Sequence, residues 1–219
     1  MSTELLPRPL AAVDLPPSSY GRSYCDRMST RVLGPIVRIQ IQRNPLKKPG
    51  VGYDPQPILA VEEAVIGPPG LVGRHEGSWI IDAHHADHPA SRGGGRRALS
   101  IGFSEHYDRI AGRFGAAPLG CAGENLIVAT EGRIDPHDLA GVVVVRTGEG
   151  EVALGGARVA APCAEFTSFL LGRPGVATRD DVADHLEFLD GGTRGYILDL
   201  NPLDGAHRIR VGDRVEVNG

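Results

Sequence analysis

The sequence predicts a mainly β domain with peripheral α-helices, and three observations carry that reading. Thirty glycines and seventeen prolines in 219 residues imply many short elements joined by tight turns, as in β-barrels and sandwiches. Hydrophobic residues make up 41% of the chain but aromatic ones only 5%, so Val, Leu, Ile and Ala must fill the core. The apolar run Leu139-Ala140-Gly141-Val142-Val143-Val144-Val145 is only seven residues long, against the ~20 needed to span a bilayer.

Each element follows from local pattern. Residues 1–30, with Leu6-Pro7-Arg8-Pro9 and Leu15-Pro16-Pro17, read as an extended and poorly ordered arm ahead of a domain over 31–219. Ile36-Val37-Arg38-Ile39-Gln40-Ile41 partly alternates and is β-branched, which is a strand signal. A Pro/Lys/Gly loop over 45–57 leads to a second strand over 58–66, stopped by Gly67-Pro68-Pro69-Gly70. The polar stretch 74–97 reads as a long loop, and a short strand follows over 98–101. Phe103, Tyr107, Ile110, Ala111 and Phe114 recur at helical spacing, with Gly115 as the stop. Strands are predicted over 125–129, 141–147, 151–160, 195–200 and 209–217, with a hairpin turn at Gly148-Glu149-Gly150. Thr178 and Asp181 resemble a helix-capping pair before Val182, Leu186 and Leu189, and Gly191-Gly192 ends that helix.

Charge narrows the function classes. A formal net charge of −4 gives no general field for a polyanion, so no nucleic-acid partner is expected. No membrane partner is expected either, and the first 17 residues lack the order of a signal peptide, so the expected location is cytoplasmic. Cys25, Cys121 and Cys163 are odd in number and far apart, which argues against a disulfide framework or a cysteine-rich zinc site.

Cys163 is the leading chemical candidate. It follows Pro162 and precedes a helical stretch with Phe166, Phe169 and Leu170 on one side. A thiol near a helix N-terminus meets unpaired N–H groups that favour the thiolate over the free value of about 8.5. Such a thiolate can attack, carry sulfur or ligate a soft metal, whereas a buried cysteine packs as a small hydrophobe; both readings stand at this point. In Gly120-Cys121-Ala122-Gly123-Glu124-Asn125-Leu126 two glycines bracket a turn. Glu124 and Asn125 there serve either the turn or a pocket mouth. Arg92-Gly93-Gly94-Gly95-Arg96-Arg97, with Arg194 beyond it, offers guanidinium forks and backbone N–H groups suited to phosphate, or is a solvated loop. His84, His85, Asp87 and His88 would make a metal pair at i, i+4 only on a helix, and Pro89 with the Gly-rich tail argues against one.

Together these pieces resemble the MOSC domain family, named for the C-terminal domain of molybdenum cofactor sulfurases, over residues 31–217. Gly70-Leu71-Val72-Gly73-Arg74-His75-Glu76-Gly77 resembles its glycine-bracketed basic–His turn, and the stretch 97–109 the strand and helix that follow. The Gly120 to Leu126 segment matches G-x-x-G-E-N-L, Pro162-Cys163 its Pro-Cys, and Val211-Gly212-Asp213-Arg214-Val215 resembles its closing strand. Three features depart from the pattern: Gly73 replaces an acidic residue, Ala160 stands where an Arg is common (Arg158 is nearby), and the chain has no room for a desulfurase domain.

The resemblance implies a MOSC-type β-barrel with Cys163 as metal ligand or sulfur carrier. Arg74, His75, Glu124 and Asn125 become pocket residues, and Arg92, Arg96 or Arg194 receivers of a cofactor phosphate. It implies a molybdenum pterin cofactor and no pyridoxal phosphate. The first function it suggests is a redox enzyme reducing N-hydroxylated small molecules with an external electron donor. The others are a sulfurtransferase loaded by a cysteine desulfurase, and a binding module without chemistry. Cys25 and Cys121 read as incidental thiols.

Overall fold

The computed structural model describes residues 29–48, 50–91 and 99–219. The arm read over 1–30 therefore lies outside the described residues except for its last two, as do Cys25, Arg92 and Arg96.

The first strand, β1 (Thr30–Gln42), is the spine of the molecule. Its first half pairs antiparallel with β15 (Arg214–Asn218), and its second half runs between β4 (Ile58–Val61) and β9 (Leu126–Val128). Register shifts between Val32 and Gly34 and between Ile36 and Arg38 mark the bulges that let one strand serve two sets of neighbours. The remaining members of this curled sheet are β8 (Leu99–Phe103), β10 (Val142–Thr147), β11 (Gly150–Ala153), β12 (Ala157–Val159) and β13 (Tyr196–Leu198). They give the order β11-β10-β15-β1-β9-β8-β13-β12, with β4 also on β1. A smaller sheet of β14 (His207–Arg210), β5 (Glu63–Gly67), β6 (Gly70–His75) and β7 (Ser78–Ile81) closes over it, and β2 (Lys47–Lys48) with β3 (Gly52–Tyr53) forms a separate hairpin. The core between the two sheets is aliphatic, with Ile36, Ile39, Ile41, Ile66, Leu71, Ile101, Leu126 and Val145 almost wholly buried.

Several expected elements are present but subdivided. The strand expected over 58–66 breaks at Glu62, because β4 belongs to the large sheet and β5 to the small one. The strand expected over 209–217 turns at Val211, Gly212 and Asp213 for the same reason. The two corners are tied by Val211 N–H donating to the Glu62 carbonyl at 3.1 Å. The strand read over 151–160 splits into β11 and β12, and Gly155 N–H donates to the Asp199 carbonyl between them. One expectation is corrected: residues 74–81 are no loop but complete the β6–β7 hairpin, whose turn is Glu76 (φ 47) and Gly77 (φ 80). A positive φ at both central residues is what a type I′ two-residue hairpin turn requires. The expected loop over 45–57 likewise contains the β2–β3 hairpin.

The helices are peripheral. Helix α1 (Ser104–Phe114) buries His106, Tyr107 and Ile110 and crosses from β8 to its parallel neighbour β9. Next come α2 (Ala164–Leu170) and α3 (Ala183–Leu189). The Thr178 hydroxyl donates to Asp181 Oδ2 at 2.7 Å while Asp181 N–H donates back to Thr178 Oγ1 at 3.2 Å, so the expected capping pair forms. It caps a short 3₁₀ turn over Asp180–Val182 that feeds α3. Among the described residues no helix is long and apolar enough to cross a membrane.

Candidate functional site

Cys163 is the residue immediately before α2, with extended backbone (φ −140°, ψ 152°). Its carbonyl accepts Thr167 N–H at 3.0 Å and the Thr167 hydroxyl at 2.9 Å, which anchors the first turn. The thiol does not face open solvent: Cys163 is 8% exposed and packs with Tyr107, Cys121, Phe166 and Leu189. Glu165, in that first turn, is held below its ordinary range by its own backbone N–H and by a hydrogen bond with the Cys163 thiol.

Beside this cluster opens a cavity of about 270 Å³, lined among others by Lys47, Tyr53, His84, Glu124, Arg158 and Arg194. Ala160 and Ala161, the residues leading into Pro162-Cys163, form part of its wall. The lining thus gathers three cations and an imidazole around one carboxyl.

The turn ahead of β9 builds the floor. Gly120 (φ 84°) and Gly123 (φ 88°) are both left-handed, and a Cβ on either would lie 2.2 Å from Gln40 Oε1 or 2.6 Å from Leu46 Cδ1. The turn carbonyls are met from β1: Gln40 Nε2 donates to Gly120 O at 2.7 Å and Gln42 Nε2 to Gly123 O at 2.6 Å. Glu124 then enters the fold almost wholly buried, 4% exposed. The Tyr107 hydroxyl donates to its Oε2 at 2.5 Å and itself accepts Ala122 N–H at 3.2 Å. Gly102 and Gly195 leave room for this carboxyl; a Cβ on either would come within 3.0 Å of the Glu124 side chain. Burial raises the Glu124 carboxyl above its ordinary range, against the opposing pull of the Tyr107 hydrogen bond and the Arg194 charge. Burial and the nearby Glu124 push the Cys121 thiol up to about 12, so it is no thiolate at neutral pH.

Arg194 stretches across the cluster. Its Nη2 donates to Ala122 O at 3.3 Å, its guanidinium lies 5.4 Å from the Phe166 ring centre, and its Nε is buried without a partner among the described residues. Tyr53 donates from its hydroxyl to Cys121 O at 2.8 Å; burial above all raises that phenol well beyond the ordinary tyrosine range.

Elsewhere in the lining the His84 imidazole is held by a buried carboxylate. Asp82 has no exposed surface. Its Oδ2 accepts Gln42 N–H at 2.7 Å and Asn125 Nδ2 at 3.1 Å, and its Oδ1 accepts His84 N–H at 2.8 Å and lies 3.0 Å from His84 Nδ1. Asp82 thereby fixes both the backbone and the ring of a cavity-lining histidine.

The predicted site residues separate accordingly. Glu124 and Arg194 line the cavity, whereas Cys163 is outside that lining, in the adjoining cluster with Tyr107, Cys121 and Phe166. Asn125 is 1% exposed, and its Oδ1 accepts Ser100 N–H and Oγ–H at 3.0 Å each, so it ties β8 to β1 and Asp82 beneath the cavity. Arg74 and His75 stand elsewhere, on the small sheet: Arg74 reaches Glu63 at 3.6 Å and His75 reaches Glu76 at 3.7 Å. The histidine segment is a series of turns, so His84 and His88 are not a helical pair. His85 Nδ1 and His88 Nδ1 instead accept the backbone N–H groups of Asp87 and Ala90. Asp135, His137 and Asp138 come close enough to hold a metal, but Arg133 and Arg31 already neutralise the two carboxylates.

Sequence reasoning missed Asp82, Tyr107 as a polar partner, Lys47 and Tyr53. Asp82-Ala83-His84 did carry a signal, since an Asp two residues before a backbone N–H is a common turn former. Tyr107 was hidden because its ring satisfies the apolar face of α1 while its hydroxyl does separate work.

No family model and no curated protein matches this chain. Among solved structures, it superposes on YuaD from Bacillus subtilis with a TM-score of 0.51, at 16% identity over 87% of this chain and 97% of that one. The fold is of the MOSC type. YiiM from Escherichia coli matches at TM-score 0.44 and 19% identity, covering 74% of this chain and 65% of its own. YiiM from Geobacillus stearothermophilus matches at 0.45 and 14%, covering 87% and 76%. At these identities the likeness concerns the fold.

Proposed function

We propose that this chain binds a phosphate-bearing molybdenum pterin in the cavity and reduces small N-hydroxylated compounds, with Cys163 as the sulfur ligand. The observation that carries this reading is the cationic lining, Lys47, Arg158 and Arg194, in a wall shared with Ala160 and Ala161, the two residues ahead of Pro162-Cys163. The donor set fits the group. Arg158 and Arg194 present forks suited to a phosphate, Lys47 adds a point charge, and a soft thiolate suits such a metal. The buried Nε of Arg194, unpartnered among the described residues, has a donor to give. Bound there, the cofactor would supply a redox-active metal that passes two electrons to the substrate. The chain's own residues orient the ligand's anionic end and set the Glu124 carboxyl, raised by burial above its ordinary range, in the lining. Expression in a cofactor-competent host tests this: molybdenum should co-purify with the wild type and be lost from Cys163→Ala. Absence of molybdenum from the wild type refutes the reading.

The burial of Cys163 favours a second reading, a binding module that keeps the cavity and lacks thiol chemistry. Alkylation at neutral pH separates the two. Metal ligation or persulfide carriage requires a Cys163 that an alkylating reagent reaches in the folded, metal-free protein; the binding module requires a Cys163 that reacts only on unfolding. A persulfide carrier further shows a sulfur adduct on Cys163 by intact mass after incubation with a cysteine desulfurase and free cysteine.

A further inference from the structure

The cavity contains a histidine whose ring is held by a carboxylate that no solvent reaches. The Asp82 contact at 3.0 Å places a proton on His84 Nδ1 and leaves Nε2 as the nitrogen that exchanges one. Nε2 makes no hydrogen bond among the described residues, and the His84 side chain, 38% exposed, lines the cavity shared with Glu124, Arg158 and Arg194. Asp82 is immobile because donors from β1, from Asn125 and from His84 itself occupy both of its oxygens. A purely structural surface histidine needs no such support. A fixed tautomer, a free second nitrogen, a buried anion behind the ring and a cavity in front of it are the parts of a proton-transfer device.

We propose that His84 is the proton-transfer residue of this cavity and that Asp82 positions it. The proposal rests on the reductive reading given above. Reduction of R–NH–OH to R–NH₂ and water consumes two electrons and two protons. The electrons come from an external electron-carrier protein. His84 hands the proton on Nε2 to the hydroxyl oxygen as the N–O bond breaks, so that oxygen leaves as water, and the second proton reaches the nitrogen from solvent. The neutral ring left behind keeps its Nδ1 proton on Asp82 and is reprotonated at Nε2 through the exposed part of the ring.

Two measurements test this. Nitrogen-15 NMR of the metal-free protein should show neutral His84 as the Nδ1–H tautomer, and Asp82→Asn should abolish that preference. A wild-type ring fixed as the Nε2–H tautomer overturns the proposal. In molybdenum-loaded protein, His84→Ala should lower kcat by about 100-fold with KM changed less than about twofold. Added imidazole should restore at least part of the rate, while metal content stays at the wild-type level. His84→Gln, which keeps the bulk and loses the proton, should match the alanine variant. Unaltered turnover in a fully loaded His84→Ala protein overturns the proposal and leaves the reductive reading intact. A wild type that loads no molybdenum overturns that reading and this proposal with it.

Discussion

Replacing His106 by Gln should flatten the acid side of the stability profile. His106 is 1% exposed on α1, edge-on to Phe103 at 5.2 Å, and its Nε2 accepts Ile134 N–H at 3.1 Å. The Ile134 peptide is pinned on its other side by the Tyr196 hydroxyl, which donates to Ile134 O at 2.8 Å. Burial above all, with the nearby Arg133 charge, lowers this imidazole from 6.5 to about 4, and protonating Nε2 would break its bond to Ile134. Between those two values the unfolded chain binds a proton that the native chain does not. His106 therefore contributes no penalty above pH ~6.5 and an increasing one as pH falls toward ~4. Linkage gives about 2 kcal/mol lost between pH 8 and pH 5, and about 3 kcal/mol over the whole window. Urea unfolding at pH 8, 7, 6 and 5 reads this directly. His106→Gln, which can still accept Ile134 N–H, should lose about 2 kcal/mol less than the wild type over that range. Other titrating groups are common to both proteins and cancel in the difference. Parallel profiles for the two proteins would refute the argument.

Glu124 should act with the opposite sign. Its raised carboxyl keeps a proton in the native state that the unfolded chain has released, so its contribution to stability fades as pH rises through its native value. Glu124→Gln should accordingly gain on the wild type between pH 5 and pH 8, measured by the same unfolding series; a gap constant with pH would contradict this. Gly123→Ala combines a left-handed φ of 88° with a Cβ 2.6 Å from Leu46 Cδ1, and should cost about 2 kcal/mol or more. A shift in urea midpoint equivalent to less than about 0.5 kcal/mol would show that the turn relaxes freely.

The local grammar of the chain was readable wherever one signal dominated. The helical spacing of Tyr107, Ile110 and Phe114, the Thr178/Asp181 cap, the hairpin turn at Gly148-Glu149-Gly150 and the placement of Cys163 at a helix start all depend on residues close in sequence and are present, although Phe103, expected on that helix, ends β8 instead. The corners at Glu62 and at Val211 to Asp213 were not readable, because a strand that changes sheets keeps its alternating pattern through the bend. The β6–β7 hairpin was missed because its polar and aromatic outer face, Arg74 and Trp79, resembles a loop.

The sequence by itself determined a β-rich domain with a G-x-x-G turn, a buried-or-reactive question at Cys163 and arginines set beside glycines at 92–97 and 194. Only the tertiary structure decided which of these meet. It carried Arg74 and His75 away to the small sheet and brought Lys47, His84, Arg158 and Arg194 to one cavity with Glu124. It also turned Asp82 into the anchor of His84 and buried Cys163 in a cluster with Tyr107, Cys121 and Phe166. The physical reason is that long-range strand pairing sets these distances: β1 alone joins β4, β9 and β15. No window of sequence contains the register that places their ends together.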